Sequence, residues 1–426
     1  MKNWSGNINW HPDEILMPDK LEDIIALVKR AIDSNRKIRI MGSAHSFMPL
    51  VSTEDIQVNL SRYKGLIRID EEKQIAYVRA GTTLAELSTL LDEKGYALEN
   101  MGDISSQSLA GAISTGTHGT GIKMGNISTQ LESVQFVNGN GDLVYCSRED
   151  KEDLFKAAAL SLGSLGIITE LGIRIVPAFN LSLQLRKQRI IDVIRDYKSI
   201  IKENRGFEYY WIPNTDYVMG KYWNKSEAAA KGSTLGTYFQ EMVLENYAFG
   251  ALCRLSSFFP SSSLSINKLC ALLLEDKFSV QKSFQSLTSE RLVKFNEMEY
   301  ALPIDQFSAA MKAVRYWIGE HNKEIVFPLE CRFVQGDDLY LSPAFGRNTV
   351  YIAAHVYHRK SAPWYFKGLE GIFRSFGGRP HWGKIHGLDS DTFSEIYPMY
   401  NYFSNIRQAQ DPQRLFINDH LASIFP

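Results

Sequence analysis

The run from Gly102 to Gly121 constrains the fold more than any other part of the chain, because it is dense in Gly, Ser and Thr without being repetitive. Such a stretch brings many backbone N–H groups and hydroxyls to close approach, which is what a pyrophosphate needs. Its glycines Gly116, Gly119 and Gly121 run G-x-x-G-x-G, which fails the dinucleotide fingerprint, and no helical pattern clearly follows them. A nucleotide-binding Rossmann sheet is therefore disfavoured. On these residues alone a flexible, glycine-rich surface loop remains an open reading.

The flanking sequence supports that exclusion. Leu21, Ile24, Ile25, Val28 and Ile32 share one face at helical spacing, predicting a helix that ends near Asn35, before a strand over 37–41. Strands follow over 56–60, 66–69 and 75–80, then a helix over 84–94 with Gly95 at its left-handed end. Asn138-Gly139-Asn140-Gly141-Asp142 joins apolar runs over 134–137 and 143–146 and predicts a hairpin. A helix over 151–162 leads through Gly163-Ser164-Leu165-Gly166 to a strand over 167–176, and Pro177 closes a first domain. This is an α+β pattern. Beyond it the chain is richer in aromatic residues, and a second domain is placed there, with the serine-rich patch 256–265 read as a loop.

Composition limits the partners. The 426 residues are 44% hydrophobic, enough for two cored domains, and 47 basic residues nearly balance 48 acidic ones, so no electrostatic footprint for nucleic acid is present. Cys146, Cys253, Cys270 and Cys331 are scattered, with no metal-ligand spacing, so no metal is expected and structural thiols in a reducing compartment are the default. The polar N-terminus lacks the apolar core of a signal peptide, which gives a cytoplasmic expectation. The richest apolar window, around 251–274, is broken by Arg254, Pro260 and Lys268, so a soluble protein is expected, with peripheral membrane contact open but unsupported.

Four constellations could carry chemistry. Gly42-Ser43-Ala44-His45-Ser46 follows the 37–41 strand, where a residue without Cβ and a hydroxyl suit a phosphate and His45 is presented at the loop rim. Arg379-Pro380-His381-Trp382-Gly383-Lys384-Ile385-His386 packs charges around a Trp, and a core-anchoring role for Trp382 explains it as well as a site does. Glu330 and Arg332 share a strand face, as a structural ion pair or as two groups converging on a ligand. His355 shares a face with Tyr357, either at the core edge or in a site.

Taken together and in order, these motifs resemble the aldonolactone oxidoreductases, which stand with alditol oxidase in the vanillyl-alcohol oxidase superfamily. The likeness also includes Trp4-Ser5-Gly6-Asn7, the segment 163–169, Asp337-Asp338-Leu339-Tyr340-Leu341-Ser342, and Asp411-Pro412 to Phe416-x-Asn418. It implies an FAD-binding domain with two subdomains, of the vanillyl-alcohol oxidase/p-cresol methylhydroxylase type, over 1–177. That domain would be completed by a C-terminal tail over about 385–426, with a mixed α+β substrate-binding cap over 178–384. It further implies that His45 bears a covalent bond to the flavin 8α-methyl, that Gly42, Ser43, Ala44 and Ser46 form one phosphate loop, and that Ser108, Gly111, Ser114, Thr117, Gly119 and Gly121 form the other. Gly166 and Ile168 would also touch the cofactor. Glu330, Arg332 and Lys384 would face the substrate side of the flavin ring. Arg332 would stabilise charge that develops as hydride reaches the flavin, and either His355 or Lys384 would receive the hydroxyl proton.

The resemblance extends to substrate and acceptor. Alditol oxidases carry His-x-Thr where an ungapped count from Glu330-x-Arg332 gives Ala353-Ala354-His355, whereas His-Val-Tyr at 355–357 and Phe-Glu-Tyr-Tyr-Trp-Ile-Pro at 207–213 look more like lactone oxidases. An aldono-1,4-lactone is expected over an open-chain polyol such as xylitol or sorbitol. Gly102 stands where a Gly rather than Ala leaves room for oxygen, so O2, reduced to hydrogen peroxide, is the expected acceptor over a quinone or cytochrome. A reading of another class, a flavin-free and catalytically silent binding module, is opposed by the joint presence of both loops with Glu330, Arg332 and Lys384.

Overall fold

The computed structural model describes all residues except 231–244, 290 and 323. The chain builds two hydrophobic cores. The first gathers apolar residues from 24–175 and from the C-terminal stretch Trp382 to Phe425, together with Leu339, Tyr340 and Leu341. The second runs from Ile190 to Phe373 and also takes in Phe47.

Around the first core, Ile38–Met41, Ile56–Asn59 and Glu14–Leu16 form a parallel three-stranded sheet. A five-stranded antiparallel sheet orders Leu66–Asp70, Ile75–Arg79, Gly166–Arg174, Leu131–Asn138 and Leu143–Ser147. The Leu21–Asp33 helix buries Ile24, Leu27, Val28 and Ala31 on one stripe, as its spacing requires. The Leu84–Asp92 helix starts with a complete capping box between Thr83 and Glu86, and Gly95 follows it with φ of 80°. The Asn138-Gly139 hairpin forms in the expected place.

An eight-stranded antiparallel sheet spans the second core. Its order is Lys277–Lys282, Asn180–Arg189, Tyr217–Ser226, Gly206–Trp211, Leu329–Val334, Thr349–Tyr357, Phe295–Pro303 and Arg379–Pro380. The central Leu329–Val334 and Thr349–Tyr357 strands are buried at every position.

Three local expectations are corrected. The serine-rich patch is not a loop: Glu245–Phe258 and Ser263–Leu272 are helices joined by a 3-10 turn at Pro260–Ser262. The hydroxyls of Ser256 and Ser257 bond back to the Cys253 carbonyl at 3.0 and 2.7 Å, satisfying themselves within the helix. The helix expected over 151–162 is only Glu152–Ala158; beyond it Leu162 takes a φ of 55° and its N–H bonds the Ser114 carbonyl, outside any helical pattern. The Gly/Ser/Thr-rich segment contains a short helix, Leu109–Ser114, whose Ser108 N-cap accepts from the Gly111 N–H. No helix of the described residues is long and apolar enough to cross a membrane.

Candidate active site

A cleft of about 1080 Å³ runs between the three-stranded sheet and the Leu109–Ser114 helix. Gly42, Ser43, Ala44, His45, Ser46, Ser108, Gly111, Ser114, Gly166 and Ile168 line it, so ten of the residues carried over from the resemblance meet in one place. Close packing explains the glycines: a Cβ at Gly42 would lie 2.3 Å from Ser108 Oγ, and one at Gly111 would lie 2.9 Å from the same atom. Hydroxyls of Ser43, Ser61, Thr83, Ser108 and Thr115 alternate along the cleft with apolar walls from Leu50, Val51, Leu60, Leu162 and Ile168. That mixture fits FAD, which needs donors for a pyrophosphate and an apolar slot for a ring system.

The loop after Ile38–Met41 is fixed from several sides. Ala44 holds a φ of 52° and its carbonyl accepts from the Trp4 N–H at 2.8 Å. Asn3 Nδ2 donates to the Ser46 carbonyl at 2.9 Å, and Asn7 Nδ2 to that of Phe47 at 3.2 Å. The motif around Trp4 is thus a clamp on the loop, a role its sequence does not announce. Arg39, within the strand, is buried and donates to the carbonyls of Gly163, Leu162 and Phe416 at 3.1, 3.0 and 2.5 Å. His45 is half-buried, with Nε2 3.0 Å from Ser106 Oγ and its ring tilted on Trp4. Burial first, and the Lys384 cation second, push its pKa down to about 4, so the ring is neutral at ordinary pH.

At His45 the cleft meets a second cavity of about 760 Å³, and Ser46, Gln107 and Thr115 also line both. Glu330, Arg332, Lys384 and His355 all face this second space. Their supports are extensive. Glu330 Oε1 accepts from Tyr210 Oη at 2.6 Å and from Arg332 Nη2 at 2.5 Å, while Arg332 Nε donates to Glu208 Oε2 at 3.0 Å. Arg291 bonds Asp103 at 2.7 Å and Tyr210 Oη at 3.0 Å. Burial opposes the charge on Asp103, but Arg291 and Arg332 outweigh it and hold the carboxyl at about 2.

Lys384 is positioned by its neighbours in the chain. Trp382 is fully buried, donates to the Leu341 carbonyl at 2.6 Å and stacks on Phe393, so the anchoring role is real. The backbone N–H groups of His381 and Ile385 bond the carbonyls of Glu299 and Glu297, both at 2.9 Å. That docking sets the Lys384 ammonium on Glu297.

Glu297 and Glu299, on one face of Phe295–Pro303, are absent from the sequence-derived set, as are His118 and His381. A pair of carboxylates two apart in an apolar strand was the available signal. Burial raises the Glu297 carboxyl's cost of charging, yet Lys384 and His355 hold its pKa at about 2. For Glu299 the same opposition is won by His118, well below the usual carboxylate range. The side-chain atoms of His118, Glu299 and His381 lie within 4.8 Å of one another, a spacing that could hold a metal. Hydrogen bonds favour another arrangement. His381 Nδ1 accepts from the Gly383 N–H at 3.0 Å, so its neutral ring carries the proton on Nε2 and offers no spare lone pair. His118 Nδ1 lies 3.0 Å from the Gly119 carbonyl and Nε2 3.3 Å from Glu299, so both ring nitrogens already have partners within the protein.

The remaining glycine-segment residues lie elsewhere. Thr117 lines the second cavity, not the FAD-type cleft. Gly119 packs where a Cβ would meet the Met101 carbonyl at 2.3 Å, and Gly121, at φ of 144°, bonds the Phe333 carbonyl through its N–H. Both therefore serve close packing of the segment against its neighbours. Gly102 lines neither cavity, because Thr117 stands between, with its Cγ2 2.5 Å from where a Cβ would be.

A cofactor cleft opening at a histidine onto a cavity lined by buried, paired charges fits an FAD-dependent oxidoreductase, and residues 12–147 match the FAD binding domain family. Residues 171–424 match the D-arabinono-1,4-lactone oxidase family, and the chain belongs to that family. It is 32% identical to an L-gulonolactone oxidase of Scyliorhinus torazame over 100% of this chain and 98% of that protein. It is 31% identical to an L-gulono-1,4-lactone dehydrogenase of Mycobacterium tuberculosis over 98% and 97%. A solvent-stable cholesterol oxidase shares the fold, with a TM-score of 0.81 at 18% identity over 100% of this chain and 97% of that structure.

Proposed function

We propose that the protein oxidises an aldono-1,4-lactone at a carbinol carbon, with FAD tethered through His45 and O2 as acceptor. Bound FAD supplies the two-electron acceptor for hydride leaving that carbon. The observation that carries the substrate class is the pairing of charges in the inner cavity. Arg291 sits on Asp103, Arg332 on Glu330 and Lys384 on Glu297, so each of these cations already has its carboxylate. Such a lining suits an uncharged polyhydroxylated ring and offers poor exchange for an anionic acid.

The residues divide the work by position. Glu330, held by Tyr210 and Arg332, accepts from substrate hydroxyls and orients the reacting carbon. Arg332, fixed between two carboxylates, stabilises negative charge that develops during transfer. His355, on the neighbouring strand and the same sheet face as Glu330 and Arg332, and Lys384, held on that face by Glu297, are the groups offered to the hydroxyl proton. His45 opens onto both spaces as a neutral imidazole, the form in which its ring nitrogen is nucleophilic. A role for Gly102 in oxygen access would have to act through Thr117, which a Cβ at position 102 would displace and which lines the inner cavity.

The same purified protein tests each part. Acid precipitation should leave yellow colour in the pellet for the wild type and release it to the supernatant for His45→Ala; wild-type colour in the supernatant would refute the tether. Turnover with lactones should exceed that with xylitol or sorbitol, and equal turnover would remove the lactone preference. A colourless protein that takes up no FAD would instead support a silent binding module. Because relatives include both an oxidase and a dehydrogenase by name, peroxide formation under air decides the acceptor.

A further inference from the structure

Three elements converge on Glu297. The Phe295–Pro303 strand carries it, and His355 is its direct cross-strand partner on Thr349–Tyr357. Lys384 reaches it from the segment docked on the same strand through the His381 and Ile385 N–H groups. Its two oxygens are divided between them: Oε2 takes Lys384 Nζ, and Oε1 lies 3.5 Å from His355 Nε2. His355 Nδ1 donates to the Pro328 carbonyl at 3.2 Å, so Nε2 is the nitrogen left to exchange a proton, and it faces Glu297. Phe295 meets the imidazole edge-on at 4.8 Å and keeps the ring from turning away.

We propose that Glu297 is the positioning residue of this cavity: its carboxylate holds the Lys384 ammonium and His355 together, and the substrate hydroxyl proton passes to His355 Nε2, where the Glu297 carboxylate stabilises the imidazolium that forms. The O–H bond breaks with its electron pair retained to form the carbonyl, as the carbon gives up hydride in the reaction proposed above. The kinetic part rests on that reading; the arrangement of the three side chains does not.

Glu299 stands two residues along on the same face, with His118 and His381 against it, and His45 also feels the Lys384 cation. Glu299 repels Glu297, while Lys384 and His355 attract it, so Glu297 is charged through the neutral range. Removing that charge withdraws stabilisation from the protonated forms of both partners. Proton uptake by His355 should then occur at lower pH.

The test uses FAD-loaded protein. In Glu297→Gln, kcat for the lactone is expected to fall about 10²-fold or more with KM within about threefold, since general base catalysis contributes factors of that size. The acid limb of the kcat profile should move to lower pH, because the charge that stabilises the proton on the base is gone. Independently of turnover, acylation of Lys384 at neutral pH, read by peptide mass spectrometry, should quicken in Glu297→Gln. Glu297→Asp, which keeps the charge on a shorter arm, should retain the wild-type pH profile and recover only part of kcat. Unchanged Lys384 labelling and superimposable pH profiles would overturn the proposal. If Glu297→Gln does not fold, Glu297→Asp decides, and wild-type kcat and labelling there would overturn it. A wild type that oxidises no lactone would sink the functional reading, while the labelling comparison would still decide what Glu297 holds.

Discussion

At the scale of single residues, strain and charge pairing identify the site more sharply than motif does. Ala44 occupies a left-handed conformation that costs a residue with a Cβ on the order of 1 kcal/mol, at the loop bearing His45. Ala44→Gly should therefore raise the denaturant midpoint by an amount equivalent to about 1 kcal/mol, and an unchanged midpoint would show that the clamp from Trp4 absorbs the strain. Arg332 bridges Glu208 and Glu330 through different nitrogens, a geometry an ammonium cannot reproduce. Arg332→Lys should lower kcat/KM by about 10²-fold, read by steady-state kinetics with a lactone; a loss under threefold would mean the cation acts as a point charge only. His45, Glu330, Arg332, His355 and Lys384 were legible because each stands in a motif. Glu297, Glu299, Asp103 and Arg291 were not, because their meaning lies in partners distant in the chain.

At the scale of elements, pattern predicts what is locally decided. The Leu21–Asp33 helix and the Asn138-Gly139 hairpin follow from spacing and turn chemistry, and the structure keeps them. The serine-rich helices were missed because serine's preference for turns was answered by back-bonding within the helix. The Leu109–Ser114 helix was missed because it is too short to show a period and depends on its Ser108 cap. Arg39 reads as an interruption in an apolar strand, yet its guanidinium satisfies three buried carbonyls and ties that strand to the Gly163 turn and the C-terminal stretch. Arg39→Met would leave these acceptors without donors, at about 1–3 kcal/mol for a buried unsatisfied group. Chemical unfolding should show a loss of at least that size; a neutral result would mean water replaces the guanidinium.

At the scale of the whole molecule, the first core is closed by the C-terminal stretch, and the inner cavity lies where the two cores meet. Burial makes this junction acid-sensitive. His381 and His386 are pushed down to about 3 and His420 to about 4, chiefly by desolvation. The unfolded chain binds their protons near pH 6.5 while the fold does not, so stability is full above that value and lost as pH falls below it. Asp103 and Glu297, held at about 2, add a further loss as pH drops from the ordinary carboxylate range toward that value. Tm should be level from pH 8 to about 6.5 and decline below, with a shallower decline in His386→Gln; a Tm level down to pH 5 would contradict the neutral buried histidines.

In the proposed reaction a lactone in the inner cavity delivers hydride to FAD in the adjoining cleft. Mixing the purified, yellow protein anaerobically with an aldono-1,4-lactone tests this most directly. The visible flavin band should bleach within the mixing experiment and return when air is admitted, with hydrogen peroxide formed. A band that persists with every aldonolactone offered would contradict the account.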